Sequence, residues 1–370
     1  MAKILIFVGT RPEAIKLAPI IQALREQPQA QLTVCATGQH REMLAHALAD
    51  FSIQEDMSLD LMTDNQTLAG LNARLFTELD RVIDEIKPDW VLVQGDTNTV
   101  MVAAMVAFYH RVKVGHVEAG LRSGDRYHPF PEEINRKVTG LIATRHYAPT
   151  EQAQQNLLAE KVEPKDVLIT GNTVVDALQQ IVARVLVQTP QLPAVVEDAL
   201  KKRPRLVLVT GHRRENFGQS FRDVCTAIRE LAIRHTDANF VYPVHLNPNV
   251  QAPVREILGE VPGVVLCEPI DYSQIVYLMN RAEVILTDSG GIQEEGVSLG
   301  KQVLVTREVT ERPEGLESGL MKIVGVDPEV IKRAVDAALL NPLSVENMES
   351  PYGDGRAAQR IVNDLLSYEG

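Results

Sequence analysis

Three acidic positions and one glycine-rich turn carry the residue types with which this chain could do chemistry. Asp96 follows the apolar run Trp90-Val91-Leu92-Val93, Glu118 follows residues 112–117, and Glu132 and Glu133 follow Pro131 at the head of a helical pattern. The carboxyl ends of parallel strands are where open α/β sheets hold their ligands. Asp96, Glu118 and Glu132 are therefore candidates to converge. Carboxyl groups that meet raise one another's proton affinity, so that one can serve as an acid and another as a base. Each also has an ordinary structural use. Asp96 can cap the helix that follows, and Glu132 and Glu133 both suit a first helical turn.

The turn is Asp288-Ser289-Gly290-Gly291, between the apolar run Val284-Ile285-Leu286 and a helical pattern that begins at Ile292. Two adjacent glycines let backbone N–H groups turn inward with no Cβ in the way. The helix start adds unsatisfied N–H groups and the positive end of the dipole. The expected guest is a phosphate or diphosphate. Glu295, about one turn into the helix, could accept from both hydroxyls of a ribose. Cations stand at further strand ends: Arg11 and Lys16 after residues 3–9, and Arg213 beside His212 after residues 205–210. His245 and Asn247 follow residues 240–244, and Arg312 lies in the loop after residues 302–306.

Such positions need strands and helices to hold them, and the sequence alternates accordingly. Short apolar strands are expected over 3–9, 31–36, 90–93, 112–117, 167–170, 205–210, 240–244, 264–267, 283–286, 302–306 and 321–324, with another before Pro149. Helical patterns lie between them. In residues 63–86, Leu68, Leu71, Leu75, Leu79, Val82, Ile83 and Ile86 recur at three- and four-residue steps, and Pro88 ends the pattern. Further helices are expected over 101–109, 134–140, 151–160, 174–187, 221–235, 272–281, 328–340 and 356–368. The rhythm gives two α/β units of comparable size with a cleft between them, joined near Gly171-Asn172 or near Pro190-Gln191-Leu192-Pro193.

Bulk properties agree. A chain of 370 residues is too long for one compact core, so two domains are expected. The formal net charge of -12 argues against nucleic-acid or anionic-membrane partners, while leaving room for a small anionic ligand. Cys35, Cys225 and Cys267 are far apart and suggest free thiols in a reducing compartment. No run reaches membrane-spanning length, and Met1-Ala2-Lys3 passes straight into the first strand, so a cytoplasmic location is expected. No metal site is expected, because no HExxH or cysteine cluster occurs. No GxGxxG follows the first strand, and no cofactor is expected.

Taken together, the motifs resemble those of the non-hydrolysing UDP-N-acetylglucosamine 2-epimerases nearly end to end. The residues that carry the resemblance are Gly9-Thr10-Arg11-Pro12-Glu13-Ala14-Ile15-Lys16, Gln39-His40-Arg41-Glu42-Met43, Gly115-His116-Val117-Glu118-Ala119-Gly120-Leu121-Arg122 and Pro131-Glu132-Glu133. Gly171-Asn172-Thr173, Thr210-Gly211-His212-Arg213-Arg214-Glu215, Asp288-Ser289-Gly290-Gly291-Ile292-Gln293-Glu294-Glu295 and Pro351-Tyr352-Gly353-Asp354-Gly355 complete the set. Gly296-Val297 departs from the Ala-Pro of many members, Gln302 stands where Pro is common, and Ile134 stands where Ala is common.

The resemblance implies two Rossmann-like domains facing across a cleft, of glycosyltransferase B type, in a homodimer. The domains would span 1–172 and 173–352, with 353–370 returning to the first. It also implies reversible conversion of UDP-GlcNAc to UDP-ManNAc by anti elimination of UDP to 2-acetamidoglucal and syn re-addition. Asp96, Glu118 and Glu132 match the family's catalytic carboxylates, and His212 its histidine near the diphosphate. Arg11, Lys16, Arg213, His245, Asn247 and Arg312 would face the sugar nucleotide. Ser289, Gly290 and Gly291 match the phosphate turn, and Glu295 the ribose ligand. Gln39 and Arg41 lie in a motif linked with activation by UDP-GlcNAc in some bacterial members. The competing functions are a glycosyltransferase of the same shape, a hydrolysing epimerase and a silent nucleotide-sugar sensor.

Overall fold

The computed structural model describes residues 1–38, 41–61, 66–343 and 350–368, the side chains of residues 41–43 and 214 excepted. Gln39 and the side chain of Arg41 thus lie outside the described residues. The chain forms two compact units, Met1–Ala177 with Tyr352–Gly370, and Leu178–Pro351.

In the first unit the described strands are β1 (Ala2–Val8), β2 (Ala30–Ala36), β3 (Met57–Ser58), β4 (Trp90–Gln94), β5 (Lys113–Val117), β6 (Arg145–Ala148) and β7 (Val167–Ile169). They pair in parallel in the order β3-β2-β1-β4-β5-β6-β7. The helices are α1 (Arg11–Arg25), α2 (Arg41–Ala49), α3 (Leu68–Ile86), α4 (Asn98–Tyr109), α5 (Glu132–Ile142) and α6 (Glu151–Ala159), and α7 (Thr173–Val187) begins in this unit and continues into the second. Strands covered on both faces read as unbroken apolar runs, and β1 is buried from Ile4 onward. Leu71, Leu75 and Leu79 of α3 pack with Val102, Ala103 and Val106 of α4 in one core cluster. Thr10, Thr67, Thr97 and Thr150 stand at helix N-caps, each hydroxyl accepting from the N–H three residues on.

The second unit repeats the plan with β8 (Arg205–Thr210), β9 (Ala238–Pro243), β10 (Val264–Cys267), β11 (Val284–Thr287), β12 (Gln302–Val305) and β13 (Met321–Ile323). Their order is β10-β9-β8-β11-β12-β13, again parallel. Its helices are α8 (Ala194–Lys202), α9 (Gln219–Arg234), α10 (Pro248–Leu258), α11 (Tyr272–Arg281), α12 (Gly290–Ser298), α13 (Pro313–Glu317) and α14 (Pro328–Leu340). The last helix, α15 (Ala357–Ser367), packs on α1 in the first unit. Asp176 accepts from the N–H groups of Ala357 and Ala358 at its start, and Asp364 accepts from Arg145 Nε at 2.9 Å. Among the described residues no helix is long and apolar enough to cross a membrane.

Each sheet reverses its winding once, between β1 and β4 and between β8 and β11, and ligands of open α/β sheets sit beyond such points. The loops after β4, β8 and β11 carry Asp96, His212 and Ser289, and the loop after β1 leads directly into Arg11 at the head of α1.

Gly296 shows why this chain departs from Ala there. A Cβ would come 2.7 Å from Val303 Cγ2 and 3.0 Å from Ile285 Cδ1, so α12 lies close on its sheet. Gly296→Ala is expected to lower stability by about 1–2 kcal/mol, overpacking outweighing the gain in helix propensity. A lower urea midpoint at unchanged slope checks it.

Candidate functional site

In the first unit, Glu118 sits just past β5 with φ at 64°, a left-handed conformation costly for a side chain of its size. Its neighbours hold it there. Lys16 from α1 forms an ion pair with Oε1, which also accepts from Asn172 Nδ2 at 3.1 Å, and Gln94 Nε2 reaches Oε2 at 2.5 Å. Lys16 is 7% exposed, so its charge is neutralised inside the fold.

Asp96 is not the cap of α4; Thr97 is. The aspartate instead meets Arg136 of α5, Nη2 to Oδ2 at 2.6 Å. Its backbone is gripped from two sides. His116 Nε2 is 2.8 Å from the Gly95 carbonyl, and Asn135 Nδ2 donates to the Asp96 carbonyl at 2.9 Å. A carbonyl only accepts, so Nε2 of His116 carries the proton. Burial pushes His116 down to about 3, keeping it a neutral donor at working pH. Arg136 is shared: its Nη1 lies 3.4 Å from Glu133 Oε2.

Glu132 and Glu133 divide. Glu133 is 0% exposed and accepts from the N–H groups of Ser123 and Gly124 at 3.1 and 3.4 Å, anchoring the loop before α5. Glu132 opens the helix and is half-buried.

In the second unit, Asp288 ties the two loops at the winding reversal. It is 1% exposed, and Oδ2 accepts from the N–H groups of His212 and Arg213, both at 2.8 Å. The His212 ring stacks on His245, centroids 5.0 Å apart. Burial holds His212 below the usual histidine range, Asp288 opposing the shift and Arg213 and His245 adding to it. Ser289 makes no side-chain cap on α12, so the first N–H groups of that helix are not spent on it. The Arg312 guanidinium lies over Gly290: a Cβ there would fall 2.7 Å from Arg312 Cζ, so a side chain at this position would displace the arginine. Glu294 fixes that arginine, Nε to Oε1 at 2.8 Å. Glu295 is buried and accepts from Tyr272 Oη at 2.7 Å. Asn247 caps α10, accepting from the Asn249 N–H at 2.9 Å.

The sequence profile described as UDP-N-acetylglucosamine 2-epimerase matches residues 22–366. The chain belongs to the UDP-N-acetylglucosamine 2-epimerase family. It is 48% identical to the UDP-N-acetylglucosamine 2-epimerase of Yersinia pestis, over 99% of both chains. Among solved structures it is similar to the UDP-GlcNAc 2-epimerase of Neisseria meningitidis bound to UDP-GlcNAc, with 41% identity, a TM-score of 0.91 and all of both chains covered. The UDP-GlcNAc 2-epimerase of Methanocaldococcus jannaschii, in complex with UDP-GlcNAc and UDP, has 34% identity and a TM-score of 0.86, covering 99% of this chain and 100% of that one. The architecture is α/β with a glycosyltransferase B-like fold, and the activity is that of an isomerase acting on a nucleotide sugar.

For this family member, the first unit places Asp96 and Glu118 just past the neighbouring strands β4 and β5 and brings Lys16 from α1 onto Glu118, and the second brings His212 and His245 together and seats Arg312 on Gly290. Gln94, Asn135, Arg136 and Tyr272 were not anticipated as partners of the site, and Asn172 and Asp288 stood in the motifs without a role of their own. Arg136 also left a local signal, standing four residues after Glu132 and three after Glu133 on one helix. The others meet their partners only in the fold.

Proposed function

We propose that the chain interconverts UDP-GlcNAc and UDP-ManNAc by elimination and re-addition of UDP through 2-acetamidoglucal. The hydrogen on carbon 2 of the sugar has no adjacent carbonyl to delocalise a carbanion. Departure of UDP builds positive charge at carbon 1 and makes that hydrogen removable. The leaving diphosphate then needs donors, each worth about 10²–10³ in rate when well placed. Arg11, His212, Arg213 and the N–H groups from Ser289 to Gly291 supply them. Lys16, His245, Asn247 and Arg312 complete the sugar-nucleotide contacts, and Glu295 takes the ribose.

Inversion requires proton transfer on both faces, which one fixed base cannot deliver to a glucal that stays still. We assign Asp96 as the base and Glu118 or Glu132 as the partner on the other face. The observation that carries this is a difference in access. The Asp96 side chain is 26% exposed and held by one ion pair, whereas the Glu118 side chain is 8% exposed. Positional isotope exchange tests carbon–oxygen cleavage. With heavy oxygen in the sugar–phosphate bridge, scrambling into the other β-phosphate positions supports the reading; a label that stays in the bridge throughout turnover rejects it.

We also propose a homodimer, a reading that the surface of the first unit supports. Phe108 and Tyr109 at the end of α4 and Leu141 on α5 are 61%, 62% and 86% exposed on two helices that pack together. A second copy would cover them, and sedimentation reads the mass. The buried Cys35 and Cys225 thiols, both pushed up to about 12 by burial, suit a reducing cytoplasm.

A further inference from the structure

Glu13 has no part in the reaction as assigned, yet its surroundings are unlike those of an ordinary helix-start acid. It lies in the first turn of α1 and is 2% exposed. Oε2 accepts from the Gly9 N–H at 2.6 Å, and Oε1 is buried with no hydrogen-bond partner among the described residues. The Thr10 hydroxyl accepts from the Glu13 N–H at 3.5 Å. A reciprocal cap of this kind normally sits in water; here it is enclosed. The turn it holds is packed on its other side. A Cβ on Gly9 would fall 2.7 Å from Thr99 Oγ1 and 3.1 Å from Thr37 Oγ1, so the turn has no slack toward β2 and α4.

The groups that face Glu13 come from both sides of the winding reversal. Asp96 and the Thr97 hydroxyl approach from the loop after β4, and Thr10 and the Gly9 N–H from the loop after β1. Behind them, Arg136 of α5 pairs with Asp96, and Lys16 on the next turn of α1 pairs with Glu118. Burial pushes the Glu13 carboxyl up to about 7, with Asp96 adding to the rise and Gly9, Thr97 and Thr10 opposing it.

We propose that Glu13 is a positioning residue for the epimerisation. Its carboxylate clamps the turn at Gly9 and Thr10, and so fixes the start of α1, whose first turn carries Arg11 and whose next turn carries the Lys16 that reaches Glu118. The inference rests on the assignment of Asp96 and Glu118 above. A charged acceptor grips an N–H roughly twice as strongly as a neutral one, so the clamp tightens when Glu13 ionises. The same charge costs stability. The unfolded chain ionises near 4.5 and the folded chain only near 7, so stability falls as pH rises through that window and stays lowered above it.

The test is Glu13→Gln in the full chain, with kcat, KM and the urea midpoint followed against pH. The amide still accepts from Gly9 but never ionises. In the parent, kcat with saturating UDP-GlcNAc should rise through the Glu13 titration. In the variant that rise should be missing, with kcat about 10-fold lower at about pH 8, KM unchanged and a urea midpoint no lower than the parent's. Glu13→Asp, too short to reach Gly9, should have low kcat across the range. A Gln variant with the parent's kcat and the parent's rise overturns the proposal, as does an activity loss matched by lost stability at high pH. Asp96→Asn and Glu118→Gln run alongside. If they retain turnover, the underlying assignment has failed; if they lose it while Glu13→Gln behaves as the parent, only the clamp has.

Discussion

Asp96→Asn is expected to lower kcat by about 10²–10⁴-fold while leaving KM within about threefold. The amide matches the carboxylate in shape but cannot take a proton. Asp96 is not among the groups assigned above to hold UDP, so substrate affinity should persist. The backbone should persist too, since His116 and Asn135 hold the Gly95 and Asp96 carbonyls rather than the side chain. Glu118→Gln should cost a similar factor in kcat, but not cleanly. It removes the charge that Lys16 neutralises inside the fold, so this variant should also lose stability. Initial rates of UDP-ManNAc formation at several substrate concentrations separate kcat from KM. An Asp96→Asn enzyme with ordinary kcat and raised KM would make Asp96 a binding group.

The second large effect concerns stability. Arg136→Met should destabilise the first unit by about 3–5 kcal/mol, the range for breaking a buried ion pair from one side. Arg136 is 7% exposed and lies between Asp96 and Glu133, the latter wholly buried. Methionine fills the space but leaves Glu133 without that cation. Trp90, in β4 close before Asp96 and the only tryptophan of the chain, reports unfolding of this unit by fluorescence. Adding Glu133→Gln to Arg136→Met should recover part of the loss, because the stranded charge is gone. No recovery would mean that packing, not charge, sets the cost. Activity should fall as well, since Asp96 loses its one described ion pair.

How far these residues could be read in advance depended on whether their partners were local. The strands were legible because parallel strands covered on both faces are plain apolar runs. The carboxyl ends of those runs then named Asp96, Glu118 and Ser289. α8 and α10 were not legible. α8 has a single buried residue, Val196, and so no stripe, while Pro253 inside α10 reads as a breaker. β3 is two residues long and visible only through its pairing with β2. The side chains that hold the site were hidden for a related reason. Lys16 and Glu118 are 102 residues apart in sequence, and His212 and Asp288 are 76 apart. No periodicity records such a meeting. Only the order of strands brings it about.

The most direct measurement of the central claim is proton NMR of UDP-GlcNAc turned over in heavy water. The account predicts that UDP-ManNAc appears with deuterium at carbon 2, that recovered UDP-GlcNAc gains deuterium at the same carbon, and that Asp96→Asn slows both together. A UDP-ManNAc product that keeps its original hydrogen at carbon 2 would contradict it, because inversion would then have proceeded without proton removal by any carboxylate.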